Sequence, residues 1–570
     1  MSERASERAQ RVLPWLWPVL LTLLITAPLL APGFVVGYDL VFVPDLTVRL
    51  DLFGVTTAMP RAVPSDILVA LADEVTGGQV LDKLVLVAIP LLSGLGMTAL
   101  WRELRLGGAL PGAAAATLYL WNPFVAERLR LGAWALLLGY AALPWLVRSA
   151  VRLRRGEGWS GFVLASAGCA LTASGGITGL LVAGLLLLWP PRAPKLWPLG
   201  AAVLLNAPWL VAGLTHGGSS TTDPASVAAF AARDEGYGGT LPTLLTLGGA
   251  WNANVVPGNR GDLLPLIFAF VMLLASVAGV VLWWQRDRLV GALVVAAGIA
   301  LLFALAGVVA PGAFAQVVAH VPGAGLFRDG QRYLPPLVLL ESIGFGVAIS
   351  AVLKHVHLQK VVGVTAVLLP IAALPALSGG AGLHVSHYPA EWEQAQQVVA
   401  GRFIPWPFES YRAPVWNGRR PVLDPMPRYF AQPSVVPDEL IVSGHRLAGE
   451  DPSAAAVATA IRAAMRDRTD PTSVLLQQGV GWVVVDREAG GPTPWTLMRG
   501  LTEEFSGPTV TVYRLAGTPV PQHHALWRTV VVLAAWAAAG MTLIAALVSV
   551  VRRCYSSVHL TGRGHVSWDH

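Results

Sequence analysis

Long apolar runs recur through most of the chain, and they constrain its fold more than any other feature. The first run extends from Val12 to about Pro32. Further runs centre near residues 90, 115, 140, 167, 183, 205, 273, 299, 343, 368 and 537. A helix needs roughly 20 apolar residues to cross a hydrocarbon layer about 30 Å thick. The pattern therefore predicts a polytopic α-helical membrane protein with about 12 transmembrane helices, the first being a retained helix rather than a signal peptide.

The composition agrees with this class and excludes several others. Hydrophobic residues make up 54% of the 570 residues and charged residues 13%, against roughly 25% charged residues in soluble domains. The net charge is +6, but the arginines lie in short loops between apolar runs, which is typical of membrane orientation rather than nucleic-acid binding. The sequence contains no P-loop, no His-Glu-x-x-His and no Gly-x-Ser-x-Gly motif. ATP-driven transport and zinc hydrolysis therefore lack their usual residues, and we expect no cofactor and no metal.

Basic residues concentrate in alternate loops, and this asymmetry orients the chain. These loops contain Arg102 and Arg105, residues 148–155, Arg192 and Lys195, Arg286 and Arg288, Lys354 and Lys360, and Arg552 and Arg553. Cytoplasmic loops are rich in lysine and arginine, so we predict that this side and both termini are cytoplasmic in a bacterial plasma membrane. The external face would then hold the loops 33–80 and 215–262, the turns near 123–131 and 311–332, and the segment 378–524.

The segment 378–524 differs from the rest of the chain because charges return and apolar runs shorten. SHYPAEWEQAQQVVAG and PSAAAVATAIRAAMRD read as amphipathic helices. GVGWVVVDRE and PTVTVYRLAG read as strands. This alternation predicts an extracytoplasmic α/β domain. The predicted organisation is a transmembrane domain at 1–377, this domain at 378–524, a last transmembrane helix at 525–551 and a cytoplasmic tail at 552–570.

The first external loop contains the candidate catalytic residues. Its stretch GFVVGYDLVFVPDLTVRLD places Asp39, Asp45 and Asp51 just outside the membrane. A carboxylate held at the membrane surface can deprotonate a sugar hydroxyl beside a lipid-linked donor. The alternative is that these aspartates only solvate the loop.

Two external turns place charges close to the hydrocarbon, where an unpaired charge is costly. WNPFVAERLRLGAW contains Glu127 and Arg128, and LFRDGQRYL contains Arg328, Asp329 and Arg332. A guanidinium group binds phosphate bidentately, so the three arginines are candidate ligands of a donor phosphate. Because Arg328 and Arg332 are four residues apart, we expect them to share a helical face, with Asp329 pointing elsewhere. The alternative is that these charges pair with one another as topology anchors.

The loop WNGRRPVLDPMPRYFAQP is rich in proline, arginine and aromatic residues. Aromatic rings stack on sugar faces and arginines reach hydroxyl groups. Trp416, Arg419 and Arg420 are therefore candidate substrate-binding residues, together with Glu127 and Asp329. An ordinary connection that packs on the membrane domain is the alternative.

The order of these parts resembles the GT-C superfamily of membrane glycosyltransferases that use polyprenyl-phosphate sugars. NPFVAERLRLGAWALLLGYAALPW and LFRDGQRYL are similar to the membrane half of mycobacterial-type arabinofuranosyltransferases and of YfhO-like membrane proteins. The resemblance implies that Asp39, or second Asp45, is the catalytic loop aspartate and that Arg328 and Arg332 bind the donor. The first loop contains no Asp-x-Asp, so metal-dependent members are not a match.

These features predict a glycosyltransferase, and two other functions stay open. An inverting glycosyltransferase would move a sugar of arabinose or mannose type from a polyprenyl-phosphate donor to a cell-envelope glycan or glycolipid on the external face. One alternative is a transporter or flippase of a lipid-linked intermediate, for which Asn206 and Glu341 are candidate polar residues within the spans. The other is a non-catalytic assembly protein that has kept a GT-C frame.

Overall fold

The computed structural model describes residues 2–190, 196–216, 222–442, 444–490 and 494–561, with side chains from Val12 to Arg553. Arg192 and Lys195 of one predicted loop lie outside the described residues, as does the predicted tail from residue 562 onward.

Helices dominate the chain up to residue 373. The helices are α1 (Ser2–Thr26), α2 (Ser65–Thr76), α3 (Gly78–Leu104), α4 (Ala109–Leu120), α5 (Pro123–Arg130), α6 (Trp134–Arg154), α7 (Trp159–Cys169), α8 (Ala173–Leu188), α9 (Leu196–His216), α10 (Ser226–Ala229), α11 (Thr240–Leu245), α12 (Leu263–Trp284), α13 (Val290–Val309), α14 (Pro311–His320), α15 (Pro335–Val352) and α16 (Gln359–Ala373). Two short 3₁₀ turns, Ala324–Phe327 and Gly330–Tyr333, lie between α14 and α15.

Short strands alternate with helices between residues 378 and 524, and the first loop adds one more strand. The strands are β1 (Phe34–Val35), β2 (Val385–Ser386), β3 (Phe403–Trp406), β4 (Tyr411–Arg412), β5 (Val422–Leu423), β6 (Leu440–Val442), β7 (His445–Leu447), β8 (Trp482–Asp486), β9 (Thr502–Ser506) and β10 (Val510–Arg514). The helices are α17 (Glu391–Val398), α18 (Met426–Tyr429), α19 (Pro452–Asp467) and α20 (Thr472–Gln477), and the last helix of the chain is α21 (Leu526–Thr561). The two predicted amphipathic helices and the two predicted strands are thereby confirmed as α17, α19, β8 and β10.

A helix lies at each predicted apolar run. Within the described residues, eight helices are long and apolar enough to cross a membrane: α1 with its 3₁₀ extension, α3, α6, α9, α12, α13, α15 and α21. Helices α4, α7, α8 and α16 occupy the other four predicted runs and have between 11 and 16 residues. The multi-pass class is confirmed, and the count of about 12 crossings stays a prediction. The last helix continues to Thr561, past the predicted end at 551, and no glycine or proline lies between residue 551 and Gly562.

Close packing of α12 against α15 depends on two glycines. A Cβ atom on Gly279 would lie 1.8 Å from the carbonyl oxygen of Gly344, and one on Gly344 would lie 2.3 Å from that of Ser276. Small residues let two helix backbones approach in a membrane, where apolar burial itself gives little drive for helix association. Residues larger than glycine would separate these two spans.

The four-stranded sheet has the order β3-β8-β10-β9, in which β3 is parallel to β8 and the other pairs are antiparallel. Its two faces bury different sets of residues because side chains alternate along a strand. Phe403, Val484, Val510 and Val512 belong to the same core as the membrane helices. Ile404, Trp406, Val483, Val485 and Tyr513 form a second core with α19 and α20. One face of the sheet is therefore continuous with the helical part, and the domain boundary at 378 stays a prediction.

The two ends of the helix bundle are chemically different. At one end the arginine-rich loops meet, since Glu103 pairs with Arg155 at 2.8 Å and Trp189 Nε1 donates to the Arg288 carbonyl at 3.0 Å. At the other end the first loop joins the segment after residue 378. There β1 pairs with β2, the Tyr38 amide donates to the Pro421 carbonyl at 2.9 Å, and the Leu423 amide donates to the Tyr38 carbonyl at 2.8 Å. The predicted external segments are thus gathered at one end.

Candidate active site

The first loop is irregular, and buried carboxylates of neighbouring helices hold its backbone. Asp82 Oδ2 of α3 accepts from the Val35 amide at 2.9 Å, and Asp73 Oδ2 of α2 accepts from the Leu46 amide at 2.9 Å. Gly132 permits the loop to approach the end of α5, because a Cβ atom there would lie 2.1 Å from the Leu40 amide nitrogen. The loop therefore has a defined path past α5.

Asp39 is the residue at the centre of this path. Its amide donates to the Leu131 carbonyl at 3.1 Å, and its Oδ1 accepts a short hydrogen bond from the Tyr411 hydroxyl of β4. The rings of Tyr38 and Tyr411 meet edge to face with centroids 6.3 Å apart. The carboxylate is partly buried and is held by a residue far away in the sequence.

Burial raises the pKa of the Asp39 carboxyl above its usual value. The hydrogen bond from Tyr411 and the charges of Arg332 and Arg428 oppose this rise in part. A carboxylate with a raised pKa is a stronger base, provided that enough of it stays ionised at the working pH.

The charges of Arg332 and Arg428 act on Asp39, and those of Arg332 and Arg61 act on Tyr411. Each of these three arginines is paired with a carboxylate. Arg332 Nε donates to Asp329 Oδ2 at 2.7 Å, Arg428 Nη2 donates to Asp66 Oδ2 at 2.8 Å, and Arg61 pairs with Asp438. The side chains of Arg332 and Arg61 stay 43% and 44% exposed. We call Asp39, Arg61, Arg332, Tyr411 and Arg428 the Asp39 site. It combines one base with positive groups that still face solvent.

The predicted geometry of the arginine turn is wrong in one respect. Asp329 does not point away from the arginines: it pairs with Arg332, whereas Arg328 pairs with Glu450. The reason is the 3₁₀ conformation of Gly330–Tyr333, in which residues three apart, not four apart, lie above each other. Asp329 and Arg332 therefore share a face, and Arg328 turns toward the loop before α19 and packs over the Phe230 ring at 5.3 Å.

Arg128 lies behind this turn rather than on its surface. Its side chain is 1% exposed, and its Nη1 lies 3.5 Å from Asp329 Oδ2. Its Nη2 lies 3.4 Å from Gln331 Oε1. The structure thus places Arg128 where it orients Asp329, which in turn holds Arg332, and not where a lipid phosphate could reach it directly.

A second group of charges is closed to solvent, and we call Glu127, Glu235, Thr246 and Arg260 the Glu235 cluster. Arg260 Nε contacts Glu235 Oε2 at 2.6 Å with side chains 3% and 2% exposed, and its Nη2 donates to Thr246 Oγ1 at 3.2 Å. The guanidinium also stacks on the Tyr237 ring at 4.4 Å. Burial and the neighbouring Glu235 raise the pKa of the Glu127 carboxyl far above its usual value. Glu127 is buried in this cluster, and its role in substrate binding stays a prediction.

A small cavity of about 30 Å³ lies beside Arg260 between α4, α12, α15 and α16. Glu341 of α15 lines it, and its Oε1 has no hydrogen-bond partner among the described residues. A cavity of this size holds one or two water molecules. It is too small for a lipid chain without rearrangement.

The remaining predicted residues have other surroundings. Asp45 is exposed. Trp416 packs against Tyr388 and Trp392 with centroids 5.0 and 5.9 Å apart, so its ring belongs to an aromatic cluster. Arg420 Nε donates to the carbonyl of Asn417 at 3.2 Å, and Arg419 is exposed. Their roles in substrate binding stay predictions.

Sequence reasoning missed Tyr411, Arg428 and Arg61. Arg428 lies in the Pro-rich loop that we singled out, but nothing in its spacing distinguishes it from Arg419 and Arg420. Within the described side chains, no three His, Cys, Asp or Glu residues are placed to hold a metal ion. Metal independence stays a prediction.

Comparison with known proteins shows the fold. No protein-family model and no curated protein matches the sequence. Two cryo-EM structures of arabinofuranosyltransferase AftD from Mycobacteria, two classes of one mutant, match with TM-scores of 0.60 and 0.53 at 15% identity. Each match covers 89% of this chain but only 42% of that protein. The chain therefore shares its fold with part of AftD and spans less than half of that protein's length.

Proposed function

We propose that the protein is a membrane glycosyltransferase in which Asp39 is the general base and Arg332 binds the phosphate of a lipid-linked sugar donor. One observation supports this most directly: a partly buried carboxylate of raised pKa lies next to exposed arginines at one end of a membrane helix bundle. The architecture shared with AftD, which is named as an arabinofuranosyltransferase, agrees with this chemistry.

The reaction needs a single displacement. Asp39 takes the proton from an acceptor hydroxyl, and the hydroxyl oxygen attacks the anomeric carbon of the donor sugar. The bond between that carbon and the phosphate oxygen breaks, and the lipid phosphate leaves with the electron pair. Arg332 stabilises the charge that develops on the phosphate, since a guanidinium in a partly desolvated site does so more strongly than in water. One displacement inverts the configuration at the anomeric carbon.

The neighbouring residues position these two groups. Tyr411 donates to Asp39 Oδ1 and fixes the orientation of the carboxylate, so that Oδ2 is the atom proposed to receive the proton. Asp329 holds Arg332, and Arg128 holds Asp329. Arg428, whose charge acts on Asp39, is a second candidate contact for the phosphate.

The substrates proposed for this site are those of the resemblance. The donor is a polyprenyl-phosphate sugar of arabinose or mannose type. The acceptor is a cell-envelope glycan or glycolipid, and the reaction takes place on the external face of the plasma membrane. The arginine-rich loops at the opposite end of the bundle support this orientation.

A transfer assay with purified protein in lipid nanodiscs tests the proposal. Synthetic polyprenyl-phosphate arabinose and mannose serve as donors, with a short arabinan or mannan as acceptor. We expect Asp39→Asn to lower the rate about 10²- to 10⁴-fold, the usual contribution of a general base, and to leave donor binding unchanged.

Asp45→Asn is the matched control, because Asp45 belongs to the same loop and is exposed. It should keep the rate of the wild type. Equal rates for Asp39→Asn and wild type would refute the role of Asp39. Absence of transfer in every variant, with altered envelope glycans in a deletion strain, would favour a non-catalytic assembly role. Donor movement across the bilayer without transfer would favour a flippase.

A further inference from the structure

A groove of about 310 Å³ opens between the start of α7 and the C-terminal half of α21. It is lined by Trp159, Ala545, Val548, Ser549, Arg552 and Arg553. This space is many times what one water molecule needs, which is ample for a phosphate group with a short polar substituent. The groove is therefore a candidate site for a headgroup-sized ligand.

The groove lies at the opposite end of the bundle from Asp39. Near the first end of α21, Arg528 donates to the Thr56 carbonyl at 3.2 Å and Trp536 Nε1 donates to the Phe53 carbonyl at 3.1 Å, so this end touches the first loop. Arg552 is 24 residues further along, or about 36 Å at 1.5 Å per residue. Trp159 follows the arginine-rich loop 148–155. The groove is thus separate from the proposed active site.

Its polar groups favour an anion. Arg552 and Arg553 are exposed, and they supply two guanidinium groups to the groove wall. Ser549 supplies a hydroxyl that accepts from Trp159 Nε1 at 3.2 Å. Glu157, which lies two residues before Trp159, is paired with Arg152 at 3.3 Å. Guanidinium groups bind phosphate oxygens bidentately, so a phosphate ester is the anion that fits this donor set best.

Its apolar surroundings favour a lipid rather than a soluble anion. Ile544, Leu547, Val548 and Val551 are exposed on α21, beside and below the two arginines. The indole rings of Trp159 and Trp197 lie 6.2 Å apart next to the groove, and Trp197 is exposed. Tryptophan is enriched at the level of lipid headgroups, and exposed aliphatic side chains of a span face acyl chains. A ligand with an anionic head and apolar tails matches both parts.

We propose that this groove is a binding site for the phosphate headgroup of an anionic phospholipid. The lipid would insert between α7 and α21, with its phosphate on Arg552 and Arg553 and its acyl chains along the apolar face of α21. Because α21 packs on α7 and α9 through Ala546, Val163 and Leu205, the bound lipid stabilises the docking of the last helix.

Lipid-dependent unfolding of the full chain in detergent tests the proposal. We expect phosphatidylglycerol to raise the unfolding midpoint of the wild type, and phosphatidylcholine with the same acyl chains to have little effect. Arg552→Ala/Arg553→Ala should abolish the response and weaken phosphatidylglycerol binding, measured by native mass spectrometry, about tenfold or more. Arg552→Lys/Arg553→Lys should keep part of the affinity, because the charge remains and the bidentate geometry is lost.

Two further variants test whether any loss of positive charge, or misfolding of the double arginine variant, would give the same result. Arg286→Ala/Arg288→Ala removes two exposed arginines from a loop at the same end of the bundle and should keep the full response. Ala545→Trp fills the groove without removing a charge, and it should weaken binding even if the double arginine variant fails to fold. The proposal is overturned if phosphatidylcholine stabilises equally, if Ala545→Trp binds like the wild type, or if glycerol phosphate alone reproduces the effect, which would indicate a site for a free phosphate ester.

Discussion

The Asp39 site contacts the end of α5, and the Glu235 cluster includes Glu127 of α5. Both combine carboxylates with arginines, but they differ in how many partners each arginine has and in how far it is exposed to solvent. Arg260 is 3% exposed and has Glu235, Thr246 and the Tyr237 ring as partners. Arg332 has one carboxylate partner, Asp329, and is 43% exposed. Saturated, buried charges hold the structure together, whereas a partly paired and exposed charge can still bind a ligand.

Asp329 and Arg128 link the two regions. Arg128 on α5 is buried like Arg260, but it faces Asp329, which also holds Arg332. Buried Arg128 thereby holds the Asp329 carboxylate, which in turn orients the guanidinium group of Arg332. Two residues with the same type of side-chain charge, Glu127 and Asp39, thus lie in different surroundings, the first buried and the second partly buried.

The largest expected effect is the loss of stability when the buried Arg260–Glu235 pair is broken. Arg260→Met leaves Glu235 buried without its counter-charge, and breaking such a pair costs about 3–5 kcal/mol of stability. We expect a large fall in the thermal unfolding midpoint of the detergent-solubilised protein. Adding Glu235→Gln should recover part of the loss, because the buried unpaired charge is then removed.

Glu127→Gln is the matched control for this prediction. The raised pKa of the Glu127 carboxyl favours its protonated form, and glutamine has nearly the same shape. The unfolding free energy should change by less than about 1 kcal/mol. A loss as large as that of Arg260→Met would mean that Glu127 is ionised, and the cluster would need a different description.

An intermediate effect is expected at Arg332. Each charge-assisted contact to phosphate contributes about 1.5–3 kcal/mol, so Arg332→Ala should weaken polyprenyl-phosphate binding about ten- to a hundredfold. Arg332→Lys should restore only part of it, because the bidentate geometry is lost. Calorimetric titration of the purified variants with polyprenyl phosphate measures these affinities.

Arg446→Ala is the control, since Arg446 is an exposed arginine of the segment after residue 378 that pairs with Glu439. It should bind the lipid phosphate as the wild type does. Full rescue by lysine, together with reduced membrane insertion of the alanine variant, would instead identify Arg332 as a topology anchor.

The smallest effect concerns the pH dependence of turnover. The hydrogen bond from Tyr411 lowers the pKa of Asp39, so Tyr411→Phe should raise that pKa further. A general base acts when it is deprotonated, so the acidic limb of the pH–rate profile should move to higher pH, with a near-normal rate above the limb. Tyr513→Phe removes another tyrosine hydroxyl near a carboxylate, Glu503, and should leave the limb in place. An unmoved limb in Tyr411→Phe would separate Tyr411 from the base.

The sequence predicted the parts that depend on local pattern. Helices lie at every predicted apolar run, and within the described part of the chain eight of them are long and apolar enough to cross a membrane. The placement of Asp39 after the first span, and of Arg332 in a later turn, also follows from local spacing.

The pairings could not be predicted, because they join distant residues. Tyr411 reaches Asp39 across 372 positions, and Glu450 reaches Arg328 across 122. Local periodicity also misjudged the arginine turn, since a 3₁₀ turn brings residues three apart together and an α-helix would bring Arg328 and Arg332 onto one face. The Asp39 site differs from the Glu235 cluster in how much of each paired arginine stays exposed to solvent. This exposure depends on the tertiary fold and not on local sequence.

A structure of the protein with bound polyprenyl phosphate, determined by single-particle cryo-EM in lipid nanodiscs, tests the central distinction most directly. We expect the phosphate to lie within hydrogen-bond distance of Arg332 and beside the Asp39 carboxylate, with the Arg260–Glu235 pair unchanged at about 2.6 Å. A phosphate bound to Arg260 or Arg128, or placed away from Arg332, would contradict it.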